Sequence, residues 1–241
     1  VAALVLVVAD GAITARRQLD YQTETTIWRD TAEKRPFNAR AHYNLGWSLG
    51  VRQPEKITAF ETALRLKPDY PDAHFSLANT LLELNLVAEA IPHYEEALRL
   101  RPSHLNTRHN FAQALVRIGR VEEAIAQFRL VLQLDPTDRL AHIGLANVLA
   151  ARNQVDEALE HFAAVLRLDP DHVDAHYNLG TVLLEHGRPA EALEHFAAVL
   201  RQLPGHADAL LNLGAACLRL NRLQEAVGHF EAAAAAGPDS A

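Results

Sequence analysis

Val173–His206, VDAHYNLGTVLLEHGRPAEALEHFAAVLRQLPGH, is the stretch from which the rest of this 241-residue chain can be read. It is the cleanest copy of a unit that recurs along nearly the whole sequence. Proline marks the spacing: Pro68, Pro102, Pro136, Pro170, Pro204 and Pro238 follow one another at intervals of 34 residues. Before each lies a small residue, then an aromatic, then a leucine-rich run at constant offsets. Self-similarity at a fixed period of this length means stacked supersecondary units, none of which buries its apolar face alone.

With Val173 as position 1, Pro204 is position 32. His176, Leu179, Gly180 and Leu183, at positions 4, 7, 8 and 11, share one face at 100° per residue, which predicts a helix. Position 15 reads Asn85, Gly119, Asn153, Gly187 and Asn221 across the repeats. Gly and Asn accept the left-handed conformation that ends a helix, so position 15 predicts a C-terminus. Pro189 pre-sets φ for a new start, and Ala192, Leu193, Phe196, Val199 and Leu200 form a second apolar face before Pro204 ends it. The unit is therefore read as two short antiparallel helices. Small residues allow them to approach: Gly46, Ala78, Ala112, Ala146, Gly180 and Gly214 at position 8, and Ala90, Ala124, Ala158, Ala192 and Ala226 at position 20. A large ring at position 24 (Phe60, Tyr94, Phe128, Phe162, Phe196, Phe230) fills the space beside them.

This combination resembles the tetratricopeptide repeat (TPR). That signature has Leu at 7, a small residue at 8, a bulky one at 11, Ala at 20, an aromatic at 24, Ala at 27 and Pro at 32. Leu179, Gly180, Leu183, Ala192, Phe196 and Pro204 match it, while Val199 replaces the Ala at 27. The resemblance covers about 200 of the 241 residues and is met six times in register. It implies an all-α fold, an α-solenoid wound as a right-handed superhelix, with the first helix of each pair lining a concave groove.

Six units are expected, at 39–70, 71–104, 105–138, 139–172, 173–206 and 207–240. Residues 19–38 read as the second helix of an incomplete leading unit, with Trp28 at position 24 and Pro36 at position 32. The first full unit is two residues short in its central turn and carries Lys56 where the others have Ala, predicting paired helices with an altered turn. Residues 1–18 form an apolar segment and linker. The run VAALVLVVA is nine residues, against the roughly 20 a membrane helix needs. Three readings stand for it: the tail of a membrane span, a helix packed on the first repeat, or a truncated signal peptide. The absence of Met, position 1 included, and of a solvating helix after Pro238 predicts a fragment of a longer protein. The uncapped apolar end around Phe230 predicts a capacity for self-association.

Charge narrows the partners. Lys+Arg 23 against Asp+Glu 30 gives −7, and beyond Arg40 the balance is 17 against 25. An acidic array without a basic stripe argues against nucleic acid. The single Cys217 falls at a core position, so it offers no disulfide framework.

A narrower resemblance lies at the junction. The apolar run, Arg16-Arg17, Asp20-Tyr21, Trp28, Asp30-Thr31, Arg35-Pro36, Asn38 and Arg40–Gly46 are similar to one family's linker. That family comprises bacterial and eukaryotic membrane proteins that fuse an O-mannosyltransferase-like glycosyltransferase region to C-terminal TPRs. The resemblance implies a membrane-tethered arm that recruits acceptor proteins, with repeats on the extracytoplasmic side. Arg16-Arg17 beside the apolar run favours the cytoplasmic side instead, so the two cues conflict.

Six of the eleven asparagines fall at positions 6 or 9 of the first helix: Asn44, Asn79, Asn110, Asn147, Asn178 and Asn212. Asn106, at position 2, shares their face, which points away from the pair's own core. Asn is a poor helix former, and a merely solvated face would favour Glu, Lys or Arg. A carboxamide offers both donor and acceptor and can pair with a peptide main chain whatever its side chains. In O-GlcNAc transferase, whose TPRs look like these, asparagines at position 6 hold extended peptide in that way. Asn44, Asn110, Asn178 and Asn212 match, while Ser76 and Gly144 break the ladder; inheritance from a duplicated unit is the alternative. Tyr43, Phe75, Ile143 and Tyr177 at position 5 are expected to be exposed beside this face, or else packed on the next repeat. Trp47 at position 9 is the strongest single anchor candidate.

Thirteen histidines raise the question of metal. The pairs His74/His93, His142/His161 and His176/His195 recur 19 apart, but repetition accounts for them and nothing completes a tetrahedral set. No metal and no cofactor are expected. G-x-S-x-G, the P-loop, H-E-x-x-H and a Cys-His arrangement are all missing, so these residues are not read as an enzyme. The expectation is a scaffold that binds a peptide or extended protein segment.

Overall fold

The computed structural model describes residues 24–50 and 54–236; residues 1–23, with the apolar run, the linker and the start of the 19–38 segment, and residues 51–53, where the altered turn was expected, and 237–241 lie outside them. The described residues hold thirteen helices and no strand. They divide into two units at Arg120/Val121, inside the turn of the third repeat.

The first unit runs through α1 (Glu24–Lys34), α2 (Ala39–Ser48), α3 (Pro54–Leu66), α4 (Pro71–Glu83), α5 (Val87–Leu100) and α6 (Leu105–Arg117). The second holds α7 (Val121–Leu134), α8 (Arg139–Ala151), α9 (Val155–Leu168), α10 (Val173–Glu185), α11 (Pro189–Gln202), α12 (Ala207–Arg219) and α13 (Leu223–Ala236). Within each unit every helix packs on the next in sequence, and hairpins α2/α3, α4/α5, α8/α9, α10/α11 and α12/α13 form the repeats. First helices also touch across repeats, α4 with α6, and α8 and α12 with α10. Helices of 10–14 residues are marginal alone, so their stability comes from this stacking.

The helix stops fall where position 15 predicts. Asn85, Asn153 and Asn221 have φ of 62°, 62° and 59°, and Gly119 and Gly187 have 78° and 74°. In each case the next residue's N–H returns to the carbonyl five residues back: Leu86 to Leu81, Arg120 to Leu115, Gln154 to Leu149, Arg188 to Leu183 and Arg222 to Cys217. These are Schellman closures, which satisfy carbonyls the helix end would otherwise orphan. First helices begin on side-chain caps, Asn38 and Asp138 through carboxamide or carboxylate oxygen and His104, His172 and His206 through Nδ1, except α4, which follows Tyr70 and opens on Pro71 without one.

Core packing follows the small-residue rule. Phe60, Tyr94, Phe128, Phe162 and Phe196 are fully buried beside alanines that are themselves inaccessible. A Cβ added at Gly180 would stand 2.9 Å from the Phe196 ring, and one at Gly214 2.6 Å from Phe230. Gly144 explains its own departure from the asparagine ladder, since a Cβ there would meet the Phe128 ring at 2.5 Å. The leading helix α1 seals the first repeat: Ala32 is buried with Ala41, Leu45, Leu49 and Ala59, and Trp28 packs against them. Thr25 Oγ1 donates to Ser48 O at 2.8 Å, and Arg29 pairs with Glu55 at 2.7 Å. At the other end α13 leaves Leu223 and Val227 exposed, while Phe230 is half-buried.

Candidate functional site

The polar residues of the first helices lie at the seams between neighbouring first helices. Asn110 Nδ2 on α6 donates to Asn79 Oδ1 on α4 at 2.9 Å, and that same oxygen accepts Tyr94 Oη–H at 2.7 Å. Asn212 Nδ2 on α12 donates to Tyr177 Oη on α10 at 3.3 Å. Trp47 Nε1 on α2 donates to Ser76 Oγ on α4 at 3.2 Å. The Asn110–Asn79, Asn212–Tyr177 and Trp47–Ser76 bonds bridge neighbouring repeats, while Tyr94 ties Asn79 to its own second helix. Burial holds the Tyr94 hydroxyl far above its ordinary titration range and raises that of Tyr177. Both therefore serve as neutral hydrogen-bonding groups.

The ladder is thus of two kinds. Asn79, Asn110 and Asn212 spend part of their capacity on neighbouring side chains. Asn44 and Asn178 are half-buried and Asn147 is exposed, and their carboxamides make no side-chain hydrogen bond to a described residue. Asn106 is exposed as well. Each free carboxamide can give one donor and take one acceptor.

The aromatics at position 5 are half-buried, in keeping with the second of the two readings, packing on the next repeat. The Tyr43 ring lies 5.0 Å from that of Tyr70 and 5.9 Å from Phe60. Phe75 meets His104 edge-on at 5.4 Å, and Tyr177 stacks on His206 at 5.3 Å. Each therefore packs on the residue that precedes the next first helix, and Ile143 is half-buried too. Trp47 differs, with 66% of its surface accessible.

Trp47 borders a cavity of about 260 Å³ lined by Lys56, Phe60, Phe75, Ser76, Asn79, Thr80 and Glu83. A more open cleft of about 420 Å³ lies beside Tyr43 and Asn44, with Lys67 over the Tyr70 ring at 4.7 Å.

The histidine pairs have a structural use that the sequence reading missed. Nδ1 to Nδ1 distances are 3.1 Å for His74/His93 and 2.9 Å for both His142/His161 and His176/His195. The Nε2 of His74, His142 and His176 lies 2.9–3.1 Å from the carbonyl of Pro68, Pro136 and Pro170. A carbonyl only accepts, so Nε2 carries the proton and Nδ1 takes one from the second ring. His42 makes the same contact to Pro36 O, and Arg108 donates to Pro102 O. The available signal was a donor six residues after each proline, which Leu210 alone interrupts. Burial, then the facing ring, pushes His93, His161 and His195 below the usual imidazole range. Among the described residues no group of three or more His, Cys, Asp or Glu could hold a metal ion, and no helix is long and apolar enough to cross a membrane. Cys217 is buried in α12, where desolvation raises its thiol.

With this geometry in hand, comparison with known proteins is direct. The tetratricopeptide repeat family model matches residues 57–104, 109–173, 143–207 and 177–241, well over half of the chain. The crystal structure of YrrB, described as a TPR protein with an unusual peptide-binding site, is 27% identical, with a TM-score of 0.61 over 76% of this chain and 94% of that one. PilW, a type IV pilus biogenesis factor, is similar at 20% identity and TM-score 0.68, covering 79% and 90%. MamA is similar at 22% and 0.63, covering 69% and 91%. The last two likenesses speak to fold alone. No match is found among curated protein sequences. The repeat period, the left-handed helix stops, the ring-on-glycine packing and the family match agree: the chain belongs to the tetratricopeptide repeat family.

Proposed function

We propose that this protein is a non-catalytic scaffold whose first-helix faces hold an extended peptide through its main chain. The observation that carries the reading is the set of unspent carboxamides on Asn44, Asn147 and Asn178, placed on a face where Asn costs helix stability. A peptide amide presents the complementary donor and acceptor in every residue, so side-chain identity matters little to these contacts. The peptide-binding site attributed to YrrB supports the same use of the fold. Replacing Asn147 and Asn178 together by Ala removes two such contacts within one unit. Each is worth about 0.5–1.5 kcal/mol, so affinity for a bound peptide falls about tenfold while the helical signal is unchanged. Unchanged affinity in a fluorescence titration ends the reading. The narrower role of recruiting arm for a membrane glycosyltransferase rests on the junction residues alone. Sequence upstream of Val1 decides it: repeated apolar spans of about 20 residues support the role, and further repeats oppose it.

A further inference from the structure

One corner of the first repeat carries two cations where its counterparts carry an ion pair. In the second repeat the residue before the closing proline, Arg101, pairs at 2.7 Å with Asp72, the second residue of α4. The fourth repeat closes the same corner with Arg139, the first residue of α8, and Asp169 at 2.8 Å. The residues of the first repeat that correspond to Arg101 and Asp72 are Lys67, before Pro68, and Arg40, the second residue of α2. The repeated hairpin therefore brings two like charges to a place that elsewhere joins opposite ones. Both line the cleft of about 420 Å³ that opens where α2 starts and α3 ends, and neither takes part in an ion pair with a described residue. The nearby carboxylates are engaged by the second repeat, Asp69 with Arg99 at 3.2 Å and Asp72 with Arg101. Tyr70 is the centre of the cleft. Lys67 Nζ stands 4.7 Å from its ring centroid, and the Tyr43 ring lies 5.0 Å away. Burial raises the Tyr70 hydroxyl above its ordinary range, Tyr43 and Asp72 add to the rise and Arg40 opposes it, so all three groups lie around that phenol. Arg40, Tyr43 and Asn44 share one face of α2 at spacings of three and four residues. The hydroxyls of both tyrosines and the Asn44 carboxamide make no hydrogen bond to a described residue.

We infer that this cleft is a binding site for one phosphorylated side chain of a bound peptide. A phosphate monoester brings about 1.5–2 negative charges at pH 7 and three acceptor oxygens, which matches two cations and the donors of Tyr43, Tyr70 and Asn44. One carboxylate satisfies the corner of the second repeat because one cation stands there; here it would leave a cation in excess. The phosphate lies between Arg40 and Lys67 and takes the place that the Asp72 carboxylate holds in the next repeat. One such corner in a chain of net charge −7 suits a single phosphate on a peptide and not the continuous backbone of a nucleic acid. This inference rests on the peptide-scaffold reading, since Asn44 is one of its free carboxamides, and adds to it the chemistry of the partner.

The test uses the full chain and alanine heptapeptides with phosphoserine, serine or glutamate at the centre, labelled with fluorescein at one end and amidated at the other. Fluorescence anisotropy gives the affinity of each for the wild type, Arg40→Asp and Arg167→Gln, with circular dichroism as the check on folding. Phosphoserine is expected to bind about tenfold or more tightly than serine, and glutamate to recover a small part of that gain. Arg40→Asp gives the first repeat the kind of pair the second has, so it should fold as the wild type does while losing the preference. Lys67→Gln serves if that variant does not fold, and Arg167→Gln, in the second unit, should leave the preference intact. Equal binding of phosphoserine and serine, a preference that survives Arg40→Asp, or glutamate as tight as phosphoserine overturns the assignment. Failure of the phosphoserine peptide to bind overturns it too. The scaffold reading is scored apart from this by the serine peptide, whose affinity should fall on replacing Asn147 and Asn178 by Ala and ignore Arg40→Asp. It can stand when the phosphate site fails, and it can fail while the phosphate preference still answers to Arg40.

Discussion

At the scale of single residues, the chain is governed by which atoms can come close. Phe196 fills a space that Gly180 and Ala192 leave open, and both the ring and Ala192 are wholly buried. Phe196→Ala removes the ring from a closed site and is expected to cost about 3–5 kcal/mol in urea unfolding. Gly144→Asn would complete the carboxamide ladder on paper, but its side chain would enter the Phe128 ring, so a loss of about 1–3 kcal/mol is expected in the same assay. Asn153, at φ 62°, predicts a third outcome. Asn153→Ala costs about 1 kcal/mol because an alanine Cβ meets the following carbonyl there, whereas Asn153→Gly does not destabilise. Phe196 and Asn153 were legible in the sequence as an aromatic and a Gly/Asn slot. What the sequence could not show was that the ring of one repeat also presses on position 6 of the next, as Phe128 does on Gly144. That contact lies between units of the repeat, and periodicity within a unit is blind to it.

At the scale of elements, the joints between hairpins are held by apolar seams and by a recurring polar relay. Each His74, His142 or His176 ties the end of the preceding repeat to its own second helix through a neutral partner ring. The exposed ion pairs, such as Arg101–Asp72 at 2.7 Å and Arg139–Asp169 at 2.8 Å, add little by comparison. The relay makes stability depend on pH. His93, His161 and His195 are held below their ordinary range in the fold, so the unfolded chain takes up protons first as pH drops. Their contribution is complete above about pH 6.5 and is lost as pH falls through the lowered folded range. Thermal melting points should hold steady from pH 8 to 7 and decline towards pH 5. Carboxylates offset the effect at His161 and His195, through Glu157 and through Glu194 and Glu191, whereas only burial and His74 act on His93. Replacing His93 by Gln should therefore flatten the acid decline more than the same change at His161. A flat profile for the wild type would contradict the neutral relay. The helix pairs themselves were fully legible from spacing. The relay was not, because its acceptor is a backbone carbonyl, which has no letter in the sequence.

At the scale of the whole molecule, repetition turns a local pattern into a surface. Stacking sets first helices side by side within each unit, and side chains at positions 6 and 9 meet across them where Asn79 bonds Asn110 and Trp47 bonds Ser76. The sequence showed that asparagines collect there; it did not show that Asn79, Asn110 and Asn212 are partly spent on neighbours while Asn44, Asn147 and Asn178 are not. Nor did it show that Trp47, Lys56 and Phe60 line one cavity with Phe75, Asn79 and Glu83. The central claim is that the protein grips peptide main chain through free carboxamides. The most direct measurement is the affinity of one peptide selected from a randomised decapeptide array, compared with copies of it carrying single N-methylated amides. If carboxamides hold the main chain, N-methylation at the gripped residues lowers affinity about tenfold, and Asn147→Ala/Asn178→Ala abolishes that sensitivity. Affinity that follows side-chain changes but ignores N-methylation would contradict the account.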